Sequence, residues 1–324
     1  MTMLGIAAMV LCTASAVLTL APLLRVKVGL VRVWDFPRPQ IAAASALSLV
    51  LLVIGEAAAP DPFGLSMSAI AIATLLYQCT HIVPYVPFLA ARSPRAQATH
   101  VDREFSVLIA NVKRENKQFS RLRDLIERSD PDIVLVLEPD ESWRAGLEPI
   151  IARYPARLID PLDNHYGMIF MTRMEMVKGR LLRPVRPDIP AVEASLRTAS
   201  GFEFDFYGLH PIPPTPDHSS TERDIELLVA AAKVKERGRP AIVGGDLTDV
   251  AWSRTTQRFL STTKMIDPRV GRGFYATFHA DYWFLRWPLD HVFYSNDFKL
   301  VDLKTMPHIG SDHFPILVRL QAPI

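Results

Sequence analysis

The sequence has only two cysteines in 324 residues, Cys12 and Cys79, and both lie in its apolar first third. The rest of the chain therefore has no thiolate, which excludes a cysteine-ligated zinc site there and leaves its redox compartment open. A strong net charge is also missing, because the formal charge is +2 at pH 7. From residue 96 onward acidic and basic residues nearly balance, so no overall basic character marks this part as a nucleic-acid binder. No internal repeat or low-complexity tract is present.

Charge is almost absent from three apolar segments, at residues 3–24, 41–59 and 65–91, where Glu56 is the only Asp, Glu, Lys or Arg. Each segment approaches the roughly 20 residues that span the hydrocarbon layer of a bilayer. We therefore predict three transmembrane helices. A cleaved signal peptide is the alternative for the first segment, although no Lys or Arg precedes its apolar run.

The domain boundaries follow from this pattern. We predict a membrane domain at 1–95, a polar linker at 96–104 and a second domain at 105–324. The loop after the first segment is basic and so is the stretch after the third, whereas the loop after the second holds only acids. The positive-inside rule then favours a multi-pass protein of the cell membrane with the second domain in the cytoplasm. A first span without flanking charge can insert either way, so both sides stay open.

Apolar runs alternate with helical patterns in the second domain. "FSVLIA" at 105–110 and "IVLVL" at 133–137 read as buried strands on either side of an amphipathic helix that begins near Phe119. "FEFDFYGL" at 202–209 alternates with period two, as expected for a strand with one covered face. Further strands are predicted at "AIVGG", "DHVFYS" and "FPILVRL". The pattern predicts a mixed α/β (α+β) domain with two packed sheets.

Acids, amides and imidazoles recur where these strands begin or end. They are Asn111, Glu138, His210, Asp246, the pair Asp290 and His291, and the pair Asp312 and His313. Each alone is more often a turn former, a helix cap or an ordinary loop residue. Their recurrence favours one shared site, because α/β folds gather their chemistry at strand ends.

The residue types at these positions suit phosphate chemistry. The oxygen ligands of Asn111, Glu138 and Asp312 fit a hard divalent cation, Mg²⁺ or Mn²⁺. An Asp290–His313 pair would present a cationic imidazole to the negative charge that develops on a phosphate. Together they predict a metal-assisted attack of water on phosphorus.

Six motifs give the chain a family resemblance. In order they are "ANV", "LEPD", "GLHPIPP", "GGDLTD", "PLDHVFYS" and "GSDHFPILV". From Phe105 to Leu320 this order resembles the endonuclease/exonuclease/phosphatase superfamily, and the apolar spans resemble its bacterial membrane-anchored branch. The resemblance implies a four-layer sandwich of two packed mixed β-sheets flanked by helices, preceded here by three transmembrane helices. It also implies a hydrolase of phosphoric esters.

The resemblance implies a role for each motif residue. By this resemblance, Asn111 and Glu138 hold the metal, and Asp312 binds near it or at a second metal position. His210 contacts the scissile phosphate, and Asp246 positions or deprotonates the attacking water. Asp290 orients the imidazole of His313. Asp249 is expected to cap the next segment or to face solvent.

Thr248 departs from the family pattern, which has Asp-X-Asn after this strand. An Asn amide offers two donors and an acceptor, whereas a Thr hydroxyl is shorter and gives one donor. Loss of a donor that acts in the transition state costs about 3 kcal/mol. Three explanations stay open: a water extends the hydroxyl to the phosphate, Asn164 of "DNHYG" substitutes, or activity is low.

Three functions remain open. The favoured one is a membrane-anchored phosphoesterase acting on a phosphomonoester, phosphodiester or pyrophosphate, most readily a lipid-linked one at the bilayer. It is supported by the three spans and by the aromatic stretch "FHADYWFLRWP" at 278–288, whose alternative interpretation is core or loop packing. The second is a nuclease, and the third is a catalytically weak membrane scaffold with Thr248 as its only support. No protein partner is predicted.

Overall fold

The computed structural model describes residues 3–24, 29–58, 62–88, 95–96, 101–213 and 221–323. The chain forms two compact units, one of the described residues up to Val86 and one of the described residues of 87–213 and 222–323. Parts of three predicted segments, namely residue 59, residues 89–91 and linker residues 97–100, lie outside the described residues.

The first unit is helical, with α1 at Met3–Leu20, a short α2 at Gly29–Arg32, α3 at Arg38–Ala58 and α4 at Pro62–Ile82. The three long helices pack through Ala8, Cys12, Leu52, Met67 and Ala71. With their flanking turns they are long and apolar enough to cross a membrane, at 22, 20 and 24 residues. Many of their large apolar side chains point outward and are exposed, as lipid-facing residues would be.

A polar network sets where α3 begins, three residues before the predicted span. The Arg38 guanidinium donates to Asp35 Oδ1 at 2.5 Å and to Gln78 Oε1 at 3.1 Å. The Gln78 amide donates in turn to Thr19 Oγ1 at 2.7 Å. All four side chains are buried, so the charged pair is satisfied inside the helical unit.

The second unit has two sheets and four helices. Its strands are β1 (Glu104–Asn111), β2 (Ile133–Leu137), β3 (Ala156–Asp160), β4 (Met168–Thr172), β5 (Glu175–Leu182), β6 (Ala191–Arg197), β7 (Glu203–Leu209), β8 (Ala241–Asp246), β9 (Asp290–Tyr294), β10 (Lys299–Thr305) and β11 (Ile316–Gln321). Its helices are α5 (Phe119–Ser129), α6 (Glu141–Ile151), α7 (Thr221–Arg237) and α8 (Arg254–Thr263). The sheet orders are β10-β11-β1-β2-β4-β3 and β5-β6-β7-β8-β9.

The alternation of side chains along the strands builds four layers. In β1, Val107 and Ile109 point into a core shared by both sheets, whereas Leu108 and Ala110 point outward onto α5 and α6. In β8, Ile242 faces the shared core and Val243 faces α7 and α8. The order is helices, sheet, sheet, helices, which confirms the predicted fold class.

Each sheet has one parallel strand pair near its centre, β1 with β2 and β7 with β8. Parallel neighbours end at the same edge, so the residues that follow them come together. Two glycines bring the sheets close at this edge. A Cβ on Gly208 would lie 3.1 Å from Leu135 of the facing sheet, and one on Gly244 would lie 2.6 Å from Ile109. A larger residue at either position would therefore require the facing side chain to shift.

Candidate active site

The first sheet contributes Asn111 and Glu138. Asn111 is the last residue of β1 and pairs in register with Leu137 of β2, so that Glu138 emerges beside it. The Asn111 amide donates to Glu138 Oε1 at 2.8 Å and to Asp246 Oδ2 of the other sheet at 3.1 Å. Glu138 has a left-handed backbone, φ 63°, and its N–H donates to the carbonyl of Gly167. The amide thus joins carboxylates from both sheets.

The second sheet contributes His210, Asp246 and Asp290. His210 follows β7, and Asp246 at the end of β8 pairs in register with Asp290 of β9. The His210 Nε2 atom lies 3.8 Å from Asp246 Oδ2 and 3.9 Å from Glu138 Oε1. His210 is buried, and its Nδ1 atom has no hydrogen-bond partner within the part of the chain that the structure describes.

An imidazole between two carboxylates completes this group. His313 Nδ1 lies 2.8 Å from Asp290 Oδ2, and its Nε2 lies 3.5 Å from Asp246 Oδ2. Burial alone would lower the pKa of His313, but the charges of Asp290 and Asp246 and the hydrogen bond to Asp290 raise it to about 10. Burial raises the pKa of Asp246, and the charge of His313 opposes that shift. The imidazole is therefore held as a cation facing Asp246.

Two sets of residues are able to hold a metal at this edge. Asp246, Asp290 and His313 offer ligand atoms within 4.8 Å of one another. A protonated His313 bound to Asp290 is a poor ligand, however, because a metal needs the neutral imidazole. Of the predicted ligands, Glu138 offers a carboxylate on the same side as Asp246, whereas Asn111 turns its amide nitrogen to both acids and its Oδ1 atom accepts from the Lys113 N–H. Since the partly buried Glu138 and the buried Asp246 bring carboxylates from both sheets together here, a divalent cation fits the donor set, and the ligand assignment stays a prediction.

Asp312 joins the group through a residue that the motifs do not identify. Lys113 Nζ lies 3.0 Å from Asp312 Oδ2, and the Lys113 N–H donates to Asn111 Oδ1 at 3.0 Å. The hydrogen bond to Asp312 raises the pKa of Lys113, which therefore stays charged. A second such residue is His165, whose Nδ1 lies 3.4 Å from Glu138 Oε2. Lys113 lies two residues after β1 and His165 lies in the loop between β3 and β4, at positive φ of 55° and 68°.

Thr248 is buried two residues after Asp246, with its side chain turned away from the acids. Its N–H donates to Asp246 Oδ1 at 2.8 Å, whereas its hydroxyl lies 3.4 Å from the carbonyl oxygens of Pro211 and Ile212. Its φ is 49°, a left-handed conformation that is rare for a β-branched residue. The backbone therefore fixes the carboxylate of Asp246, but the hydroxyl serves the loop after His210.

The structure argues against Asn164 as a substitute for the family asparagine. Its amide nitrogen donates to the Asp188 carbonyl at 2.9 Å, and its amide oxygen accepts from the Tyr166 N–H at 3.0 Å. Its oxygen is thus used within its own loop, and its amide nitrogen donates to the loop between β5 and β6. Tyr166 in turn places its ring 5.4 Å from that of His210.

Asp249 does not face solvent, and its Oδ1 atom accepts from the Val250 N–H at 3.0 Å, at the start of the next segment. It is 1% exposed, lies 3.3 Å from the Arg223 guanidinium and accepts from the Ser253 hydroxyl, which is the residue that caps α8. Arg223 also donates to the Thr248 carbonyl at 3.2 Å. This buried pair holds the Thr248 turn against α7, because leaving either charge unpaired would be costly.

Residues 108–313, which contain the whole of this site, match the model of the Endonuclease/Exonuclease/phosphatase family. The chain belongs to this family. The predicted family is therefore confirmed, and the superfamily includes both phosphatases and nucleases. No curated protein sequence matches the chain.

Solved structures show the family fold at low sequence identity. A mannosyl-6-phosphatase from Bacteroides thetaiotaomicron aligns with a TM-score of 0.52 and 20% identity over 67% of this chain and 99% of its own. D. rerio TDP2 complexed with a single-strand DNA product aligns with a TM-score of 0.57 and 16% identity over 68% of this chain and 100% of its own. An endonuclease/exonuclease/phosphatase family protein from B. thetaiotaomicron aligns with a TM-score of 0.56 and 17% identity over 68% of this chain and 98% of its own. At these identities the likeness shows the fold alone.

Proposed function

We propose that this family member is a membrane-anchored, divalent-metal-dependent phosphoesterase that hydrolyses a lipid-linked phosphoester or pyrophosphate. The observation that carries the proposal is the set of Asn111, Glu138, Asp246, Asp290 and His313, which two sheets assemble from distant parts of the chain and in which every member except the partly buried Glu138 is buried. Buried carboxylates at such density are unfavourable unless they serve a cation or a reaction.

The residues divide the reaction between them. Asn111 and Glu138 would hold the cation, which supplies positive charge at a phosphate oxygen when it is bound. Asp246, with its raised pKa, is suited to orient an attacking water and take its proton. The cationic His313, fixed by Asp290, faces the charge that builds up on phosphorus-bound oxygens.

His210 supplies a second imidazole on the same edge. Its Nε2 points at Glu138 and Asp246, and it is 3% exposed. In this position it can donate a hydrogen bond to a non-bridging phosphate oxygen. Because Thr248 lacks the amide of the family asparagine, His210 is our candidate for a donor that replaces it in part.

The lipid-linked substrate is supported by the first unit. Three helices long and apolar enough to cross a membrane would keep the site near a bilayer, where substrates with lipid tails are concentrated. The near balance of acidic and basic residues from residue 96 onward is unlike a surface that follows a nucleic-acid backbone.

A nuclease is the second candidate function, favoured by one observation. D. rerio TDP2, which shares the fold, is described in complex with a single-strand DNA product. Cleavage of DNA by this chain would use the same residues, since both reactions are an attack of water on a phosphate group. The two candidates differ in what the protein binds around the phosphate.

The purified full-length chain, assayed on polyprenyl pyrophosphate and on single- and double-stranded DNA with Mg²⁺ or Mn²⁺, tests the proposal. We expect release of phosphate from the lipid and no DNA cleavage. Glu138→Ala should abolish the activity and weaken metal binding. Glu141→Ala is the matched control, because Glu141 is an exposed residue of α6 that pairs only with Arg144 among its described contacts. DNA cleavage alone would refute the lipid assignment, and full activity of Glu138→Ala would refute the metal assignment.

A further inference from the structure

The loop between Phe278 and Trp287 ends in a compact group of exposed apolar side chains. Backbone hydrogen bonds tie its two arms together, with the Phe278 N–H donating to the Trp287 carbonyl at 3.0 Å and the His279 N–H to the Leu285 carbonyl at 2.9 Å. At its end four consecutive residues, here called the aromatic tip, are exposed: Tyr282 50%, Trp283 79%, Phe284 52% and Leu285 37%.

Such exposure is unusual for this unit. Within residues 101–213 and 221–323, the other exposed large hydrophobic residues are Val177 and Ile225, each single and at 39% and 42%. Isolated apolar residues on a surface are ordinary, whereas a contiguous group marks a surface that binds something. Aromatic contacts within the tip, such as Trp283 against Phe284 at 5.7 Å, leave most of the indole exposed.

The base of the same loop is built into the active site. The Phe278 ring lies 4.9 Å from the His313 ring, and the Ala280 N–H donates to the Asp312 carbonyl at 2.7 Å. Arg286 secures the other arm, since it donates to the Ala280 carbonyl at 3.1 Å and stacks over Phe314 at 4.9 Å. Whatever the tip binds is therefore held at a fixed position relative to the imidazole.

We propose that the aromatic tip inserts into the interfacial layer of a lipid bilayer and presents lipid headgroups to the active site. This inference rests on the proposed function and adds the surface by which the substrate class is selected. Trp and Tyr favour the boundary between headgroups and acyl chains, because their rings are apolar and carry one polar group. The apolar helices of the first unit would hold the chain in such a bilayer.

Charge decides against a nucleic acid as the occupant. Aromatic residues that stack on bases work together with a basic groove for the backbone. The stretch 278–287 has one arginine, Arg286, which is already engaged with Ala280 and Phe314. Asp281, which lies 3.3 Å from His308, and Arg286 are both exposed and opposite in sign, so the stretch carries no net positive charge for the phosphates of a strand.

Fluorescence of Trp283 tests the insertion independently of activity. The full-length chain, which has five tryptophans, is placed in nanodiscs of phosphatidylcholine with plain or brominated acyl chains. The emission lost on Trp283→Phe reports this residue alone, and we expect brominated chains to quench it at least twofold. Equal Trp283 emission in the two kinds of nanodisc would overturn the proposal. The proposal would also be overturned if single-stranded DNA, and not brominated lipid, quenched or shifted the emission of Trp283.

Kinetics test the function of the tip. The double variant Trp283→Ser and Phe284→Ser should raise KM for a bilayer-embedded phospholipid or polyprenyl pyrophosphate about tenfold. Its kcat on a water-soluble phosphodiester should stay unchanged, as should both values in the control Ile225→Ser. An unchanged KM on the embedded substrate would refute the proposal. If the wild-type chain hydrolyses neither substrate, the proposed function fails, while the quenching result still decides whether the tip enters lipid.

Discussion

Thr248 occupies a backbone position that suits asparagine better than threonine. A left-handed conformation costs a β-branched residue about 1–2 kcal/mol, whereas Asn adopts it readily. We expect Thr248→Asn to raise the melting temperature by about 2–4 °C and to increase turnover by up to roughly 100-fold. Thermal unfolding and hydrolysis of a generic phosphodiester measure both.

The control Thr248→Ser separates the two effects of that change. Serine relieves the β-branching but brings no amide, so it should recover part of the stability and none of the rate. If Thr248→Asn gained stability without turnover, the missing amide would not limit the reaction, and His210 or another donor would already do its work.

Asp290 acts through His313. Its Oδ2 atom lies 2.8 Å from Nδ1, so it orients the ring and keeps it cationic. We expect Asp290→Asn to lower kcat by about 10²–10⁴-fold with a smaller change in KM. Combined with His313→Ala it should lower the rate no further than His313→Ala alone, because the two residues work as a unit. Losses that multiply would show that each acts separately.

At the scale of elements, α7 carries a buried acid outside the reacting group. Glu226 is 3% exposed, its Oε1 atom has no partner among the described residues, and burial raises its pKa to about 8. Between pH 4.5 and 8 the folded chain keeps this proton while the unfolded chain has lost it. Stability therefore falls as pH rises through this range, by roughly 3 kcal/mol at pH 7.

Glu226→Gln should remove this dependence. We expect the melting temperature of the variant relative to wild type to be higher at pH 8 than at pH 5, as measured by thermal unfolding of the full-length chain. Glu222→Gln, an exposed acid on the same helix, is the matched control and should show the same difference at both pH values. A variant that loses stability equally at both would show that the carboxyl is ionised in the folded protein.

The elements also show how far the sequence allows prediction. The central strands β1, β2, β7 and β8 can be recognised in the sequence. A strand covered on both faces gives a continuous apolar run, and a strand covered on one face gives an alternating pattern. The edge strands β3, β5 and β10 leave many side chains partly or fully exposed, so their sequences have little pattern.

The site residues also differ in whether the sequence predicts them. Residues at strand ends are predictable from the motifs, and the structure brings Asn111, Glu138, His210, Asp246, Asp290 and His313 within contact of one another. Lys113 and His165 are not predictable, because they reach the group through left-handed loop positions whose contacts are long-range. The orientation of Thr248 likewise depends on Arg223 and Asp249, which meet only in the folded chain.

At the scale of the whole molecule, sidedness is the property that most restricts the substrate. The basic loop after the first apolar segment favours a cytoplasmic second unit. We expect a reporter fused after Ile324 to be active when it requires the cytoplasm and inactive when it requires the opposite side. The reverse result would place the site where cell-wall lipid intermediates lie and would exclude cytoplasmic phosphoesters as substrates.

Gly208 and Gly244 influence how closely the two sheets pack next to the active site. Asn111 and Glu138 lie at strand ends of one sheet, whereas His210 and Asp246 lie at strand ends of the other, so the distance between the sheets contributes to the distance between these groups. A methyl group at either position would meet the end of a facing side chain, Leu135 at 3.1 Å or Ile109 at 2.6 Å, which would have to shift to admit it. These two glycines therefore allow the sheets to pack closely beside the reacting groups.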